Sequence, residues 1–497
     1  MTGEGGRPRL CEAALATLPK AIARPAYDRS KLTAGIVHLG IGAFHRAHQA
    51  VYVDDVLAAD PSWAIVGASL RSADTRDALK PQDSLYTLSV RSGAGEKLRI
   101  IGSVVEVLVA TEERERLIAA MADPRVRIVS LTVTEKGYCH DPATGALNEA
   151  DPGIRQDLAT PDAPRTAPGL VVEALARRRA AGVAPFTVLS CDNLPSNGAV
   201  ARRILTRFAQ LRDADLGAWV AGEVAFPSTM VDRITPATTD EDRARVDAAL
   251  GVTDAWPVVT EPFTQWVIED SFPAGRPAFE TVGAELVADV APYEHMKLRL
   301  LNGAHSSLSY LGYLAGYSFV SDVMGDASFA RFVAALMDEA IPTLTVPPSM
   351  DLAGYKAALL DRFRNPALKH RTWQICMDGS QKLPQRLLGT IRDRLKSGAP
   401  FGKLALGVAG WMRYVIGIDE TGQAIDVRDP LAGELRALAD AAGPSAERLV
   451  NALVGVEKVF GSDLAADPRF IEAVTGRLAR LLVDGAKRAV AAEVGAG

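Results

Sequence analysis

Six residues of β-forming character, Gly35-Ile36-Val37-His38-Leu39-Gly40, run into a glycine pair, Gly40-Ile41-Gly42, and residues 44–59 beyond it have helical periodicity. Strand, glycine turn and helix in that order leave few folds open. A second apolar run at 64–70 follows at a distance that admits one helix. The two runs therefore form a βαβ unit with parallel strands, since parallel neighbours need a crossover connection. Further apolar runs at 98–101, 126–133 and 186–190 alternate with helical stretches at 112–122 and 169–181, which is the alternation of an α/β layer structure. The chain thus opens as a Rossmann-like domain.

Between 141 and 168 the sequence is rich in Asp, Pro, Thr and Gly, which predicts a surface excursion from that core. The pattern changes near Tyr293. Helical periodicity takes over at 294–314, 327–341, 354–363, 383–395 and 432–441, predicting a mostly α-helical C-terminal domain. The boundary is placed near 285, giving an α/β N-terminal domain over 1–285 and a helical one over 286–497. A length of 497 residues is enough for two separate cores.

Composition narrows the function. Lys and Arg total 55 against 60 Asp and Glu, so no basic excess argues for nucleic acid. The four cysteines, Cys11, Cys139, Cys191 and Cys376, form no C-x-x-C pair, which argues against a zinc ribbon or a disulfide framework and suits a reducing cytoplasm. The N-terminus lacks the uninterrupted apolar core of a signal peptide. The most apolar segment, 404–418, carries Arg413 and is shorter than the ~20 residues of a membrane helix, so no span is expected.

Four segments have the residue types that chemistry needs. Gly40 and Gly42 would let a pyrophosphate approach the backbone while Ala43 and Phe44, at a helix N-terminus, offer unpaired N–H groups. His45 stands where the usual third glycine would be, and His45, Arg46 and His48 lie close enough in sequence to touch phosphate or substrate. Cofactor choice is expected after the second strand: Asp74 suits a ribose 2′-hydroxyl, whereas Arg71 and Ser72 suit a 2′-phosphate, so NAD is expected with NADP not excluded.

In the second segment, Lys297-Leu298-Arg299-Leu300-Leu301-Asn302-Gly303-Ala304-His305, α-helical geometry puts Asn302 ~140° and His305 ~80° from Lys297, on one half of the helix. A lysine in a water-poor cleft can exchange a proton with a carbinol near neutral pH. The third segment, Ser190-Cys191-Asp192-Asn193-Leu194-Pro195, follows a strand at the carboxyl edge, where Asn193 can meet nicotinamide or substrate and Asp192 or Asn193 can cap an Asx turn. Loops at 132–138 and 227–233 are expected at the same edge. Lys382 and Arg386, in a polar segment ahead of a helix, suit a carboxylate.

Taken in order, Gly-Ile-Gly-Ala-Phe-His-Arg-Ala-His-Gln (40–49), Thr-Val-Thr-Glu-Lys-Gly-Tyr (132–138), Ser-Cys-Asp-Asn-Leu-Pro (190–195), Ser-Thr-Met-Val-Asp-Arg-Ile-Thr-Pro (228–236) and the set Lys297, Asn302 and His305 resemble the polyol-specific long-chain dehydrogenases and reductases, the mannitol dehydrogenase family. That resemblance implies metal-independent hydride transfer on a sugar acid or polyol, usually by a monomer, with Lys297 as general acid/base. It also implies that Asn302 and His305 polarise the reacting oxygen, that Asn193, Val231 and Asp232 shape the cofactor and substrate site, and that Glu135 relays protons. Mannitol-type members carry an arginine eight residues before the lysine of the Asp-Gly-Ser motif, and here that position is Gln374. The stretch 372–386 is more similar to fructuronate reductases (mannonate oxidoreductases), as is Ser69-Leu70-Arg71-Ser72. A hexuronate carboxylate would then meet Lys382 with Arg386 or Arg371. A mannitol or arabinitol 2-dehydrogenase is the neighbouring alternative, and a non-catalytic dinucleotide sensor a remote one.

Overall fold

The structure, a computed structural model, describes residues 6–141, 144–347 and 350–495. The chain divides into two compact units, Met1–Ala291 and Pro292–Gly497. Among the described residues of the first, eleven strands are present: β1 (Ala34–Leu39), β2 (Ala64–Ser69), β3 (Tyr86–Ser92), β4 (Gly95–Ile101), β5 (Val104–Val109), β6 (Ile128–Leu131), β7 (Thr187–Ser190), β8 (Thr229–Asp232), β9 (Val258–Thr260), β10 (Gln265–Glu269) and β11 (Glu285–Val287).

Five of them form a parallel sheet in the order β5-β2-β1-β6-β7. This is the doubly wound order, and it reverses between β1 and β6, where such sheets open a crevice at their carboxyl ends. Both faces are covered. Alternate side chains of a strand point to opposite faces, so Val37 and Leu39 of β1 join a core with the helices Ala110–Ala122, Ala167–Ala180 and Asn197–Arg212. Ile36, from the same strand, joins a second core with Trp63, Trp266 and Phe279.

Three expectations fail here for physical reasons. The run at 98–101 belongs to β4, which pairs antiparallel with β3 in a separate sheet, while the outer place beside β2 goes to β5. Gly102 and Ser103 separate the two strands, and the chain changes sheets at that break in the apolar run. The helix expected over 44–59 is two helices, Ala43–Ala47 and Gln49–Val56, because His48 (φ −122°, ψ −90°) leaves helical geometry. The segment 227–233, read as a loop, contains β8, which pairs antiparallel with β10. The excursion after 141 holds a helix, Pro152–Ala159, capped by the Asp151 side chain; residues 142 and 143 within it lie outside the described residues.

The second unit is helical. Ala291–Met296, Lys297–Asn302 and Gly303–Leu314 run on as one helix whose middle turn is π-helical, and Gly379–Leu383, Pro384–Leu388 and Gly389–Lys396 repeat that construction. The apolar segment 404–418 is explained by Gly402–Val415, a helix buried from Leu404 to Met412 in the core of the unit. It packs against Gly303–Leu314 and against Pro468–Gly495. Among the described residues no helix is long and apolar enough to cross a membrane.

Candidate active site

At the carboxyl end of β1 the backbone turns at Gly40 with φ +97°. A Cβ there would lie 2.2 Å from the carbonyl oxygen of Thr132, at the end of β6, so two chain segments meet with room for glycine alone. Thr132 fixes the contact: its hydroxyl donates to Gly40 O (2.8 Å) and lies 2.8 Å from Nε2 of the buried His38. Gly42 then caps Ala43–Ala47 with no side-chain bond, and a Cβ on it would meet nothing closer than 3.8 Å. An open, glycine-lined helix start at the sheet's switch point fits a dinucleotide pyrophosphate.

His45, Arg46 and His48, next in sequence, are all buried. His45 is 1% exposed and stacks on His38 at 3.4 Å, Arg46 donates to Trp256 O (2.6 Å), and His48 Nε2 lies 2.8 Å from Gln265 O. Arg46 and His48 thereby tie the helix to distant backbone, while both ring nitrogens of His45 are buried without a hydrogen-bond partner. Arg71 and Ser72 follow β2 directly and are exposed, whereas Asp74 starts the helix Asp74–Leu79, its N–H donating to Ser72 Oγ (3.1 Å).

Two buried side chains tie the loops beyond β6 and β7 to each other and to the start of β8. Asp192 accepts from the N–H groups of Val133 (3.0 Å) and Thr134 (2.8 Å) and from the Tyr138 hydroxyl (2.8 Å). Burial pushes its carboxyl up to about 6 in spite of those bonds. Asn197 donates to Asp192 O (3.0 Å) and Thr229 O (2.9 Å) and accepts from Thr229 N–H (2.9 Å). Asn193 and Glu135 are thereby presented at the surface, and Val231 and Asp232 lie buried on β8. The sequence suggests no more than an Asx turn at Asp192, and it gives no sign of Asn197, whose spacing from Asp192 matches no motif. Thr134 (φ +65°) and Ser196 (φ +48°) hold the left-handed conformation in these loops. Such strain in residues other than glycine gathers at functional sites.

In the second unit Lys297 begins the first π-helical turn and Asn302 ends it. A π turn takes roughly one more residue than an α turn, so five residues complete about one turn and Asn302 stands nearly above Lys297, not ~140° away. The convergence is tighter than an α-helix allows. Both side chains are half-buried, and His305, one turn on, is 7% exposed. Its Nε2 is buried without a hydrogen-bond partner, and its ring packs on Phe363 (4.4 Å) and edge-on to His370 (5.3 Å). Burial first, then His370, Arg362 and Arg386, hold its pKa well below the ordinary histidine value. Arg362 and His370 were not anticipated from the sequence.

Arg386 lies in the second π turn and donates from Nη1 to Ser306 Oγ (3.1 Å). The two π turns touch at Gly303, where a Cβ would stand 2.8 Å from the Arg386 carbonyl oxygen. Lys382, half-buried, donates from Nζ to Met377 O (2.5 Å). Arg371 is exposed, its guanidinium 5.4 Å from the Phe319 ring, and Gln374 is also exposed.

Residues 34–281 match the model of the mannitol dehydrogenase Rossmann domain, and residues 289–482 match that of the mannitol dehydrogenase C-terminal domain. The chain belongs to the mannitol dehydrogenase family. Within the family it is similar to a D-mannonate oxidoreductase of Escherichia coli, 49% identical over 95% of this chain and 98% of that one. A mannitol 2-dehydrogenase of Aspergillus terreus is 43% identical over 93% of each. The mannitol 2-dehydrogenase of Pseudomonas fluorescens, solved as a ternary complex with NAD and D-mannitol, superposes with TM-score 0.87 at 41% identity, covering 98% of this chain and 100% of that one. Membership makes the chain an oxidoreductase with a Rossmann fold.

Proposed function

We propose that this family member interconverts D-fructuronate and D-mannonate with NAD(H), Lys297 serving as the general acid/base. The observation that carries this reading is the pair of arginines next to His305: Arg386 donates to Ser306, the residue after it, and the buried Arg362 immediately precedes Phe363, whose ring packs on His305, a setting suited to a substrate with a carboxylate. The E. coli D-mannonate oxidoreductase, at 49% identity, supports the same substrate class.

Gly40, Gly42, Ala43 and Phe44 would hold the pyrophosphate, with Arg71, Ser72 and Asp74 toward the adenosine ribose and Asn193, Val231 and Asp232 toward the nicotinamide and substrate. When bound, the dinucleotide supplies the hydride for ketone reduction and accepts it in the reverse direction. Lys297 delivers a proton to the C5 oxygen as that oxygen gains charge. Asn302, aligned with Lys297 by the π turn, donates a hydrogen bond to the same atom. His305, held neutral by burial and its cationic neighbours, contributes an N–H but no proton at neutral pH, which leaves the acid role to Lys297. Lys382 and Arg386 bind the far end of the substrate, and Glu135, exposed beyond β6, exchanges protons with solvent.

NADH oxidation by the purified protein with D-fructuronate and with D-fructose tests this assignment. The expected result is a much higher kcat/KM for fructuronate. Preference for fructose would replace the hexuronate reading with the mannitol 2-dehydrogenase one, which the likeness to the P. fluorescens enzyme favours.

A further inference from the structure

His370 has no role in the mechanism above, yet its placement is strongly determined. Lys369, immediately before it, holds a left-handed backbone (φ +45°) that a residue with a Cβ adopts at a cost. The backbone after it is pinned to the 318–320 segment: His370 O accepts from Val320 N–H (2.9 Å), and Thr372 N–H donates to Ser318 O (3.0 Å). This clamp sets the His370 ring edge-on to His305 at 5.3 Å.

Each ring then keeps a buried nitrogen without a hydrogen-bond partner, Nε2 of His305 and Nδ1 of His370. Leaving even one buried polar atom unsatisfied costs about 1–3 kcal/mol, so two side by side in a stable fold call for an explanation. Burial pushes His370 down to about 4, so the ring is neutral at pH 7 with one N–H to give. Arg362 and Arg386 add positive potential, and Arg386 is tied to Ser306, the residue after His305. Imidazole donors beside guanidinium groups form the kind of site an anionic oxygen pair satisfies.

We propose that His370 is a specificity-determining residue whose Nδ1 donates to the substrate's carboxylate, completing with Arg386 a subsite for an aldonate or hexuronate, while the neighbouring His305 keeps its N–H for the reacting oxygen. This rests on the carboxylate reading of the preceding section and adds to it a residue outside the Lys297, Asn302 and His305 set.

The test compares wild type, His370→Ala and His370→Asn, the last placing an amide N–H near the position of Nδ1. In His370→Ala the ratio of kcat/KM for D-fructuronate to that for D-fructose should fall roughly tenfold to hundredfold, the range for a hydrogen bond to a charged group. The loss should appear in KM more than in kcat, and His370→Asn should recover much of it. An unchanged ratio overturns the proposal. A second readout separates failure of this proposal from failure of the hexuronate assignment: histidine ring NMR resonances of the wild-type protein, titrated with D-gluconate and with D-glucitol in the presence of NAD. Movement of the His370 resonances with the acid alone supports the subsite even for an enzyme that does not reduce fructuronate. Movement with both ligands or with neither overturns it.

Discussion

Lys297 and Asp192 show how one side chain's surroundings decide its work. Lys297→Ala should lower kcat by roughly 10²–10⁴, the usual contribution of a positioned acid/base, while NADH binding measured by fluorescence persists. Turnover equal to wild type would remove Lys297 from the mechanism. For Asp192 the prediction concerns pH. Its folded-state carboxyl is raised from 3.8 to about 6, so between those values the folded chain holds a proton that the unfolded chain releases. The group's stabilising contribution is therefore full below pH 3.8 and is lost as pH rises through 6, with an upper magnitude of about 3 kcal/mol. An asparagine side chain in its place would not titrate, and its NH2 would face a backbone N–H. Asp192→Asn should thus melt below wild type, and the gap should narrow as pH rises from about 4 to about 7. A gap that stays constant or widens would contradict the assignment.

At the level of elements, the paired π turns join the two parts of the candidate site in the second unit. Gly303→Ala sets two effects against each other. Alanine is worth up to about 1 kcal/mol over glycine within a helix, but its Cβ would stand 2.8 Å from the Arg386 carbonyl, a backbone atom unable to swing aside. Overpacking of this kind costs roughly 1–3 kcal/mol, so thermal unfolding should occur at lower temperature and kcat/KM should fall as the Arg386 turn shifts. Unchanged melting and turnover would mean that the contact has slack. The glycine turn, the alternation of strand and helix, and the later helical stretches were legible in the sequence because each rests on local periodicity or on a glycine's missing side chain. The π turns were not, since Lys297 to His305 reads equally well at α-helical spacing and nothing local in it signals the extra residue per turn. The same holds for β5: whether 98–101 or 104–109 lies beside β2 depends on pairing between distant residues, which no local pattern encodes.

On the scale of the whole molecule, the order β5-β2-β1-β6-β7 determines which loops share an edge, and so brings residues as far apart as Gly40, Thr132, Asp192 and Thr229 into one bonded set. That the loops at 132–138 and 190–195 share an edge followed from the strand reading; the place of β5 in the order did not. What escaped it are the buried ties, Asn197 and His370 among them, whose importance lies in partners far along the chain. The helix Gly402–Val415 has a further consequence during biosynthesis. Its apolar surface is covered in part by Pro468–Gly495, a segment made more than fifty residues later. At ~5–20 residues per second the ribosome leaves that surface bare for several seconds, a window in which a growing polypeptide is open to chaperone capture or to sticking to its neighbours. For those seconds the segment that forms the heart of the finished helical unit is its greatest hazard.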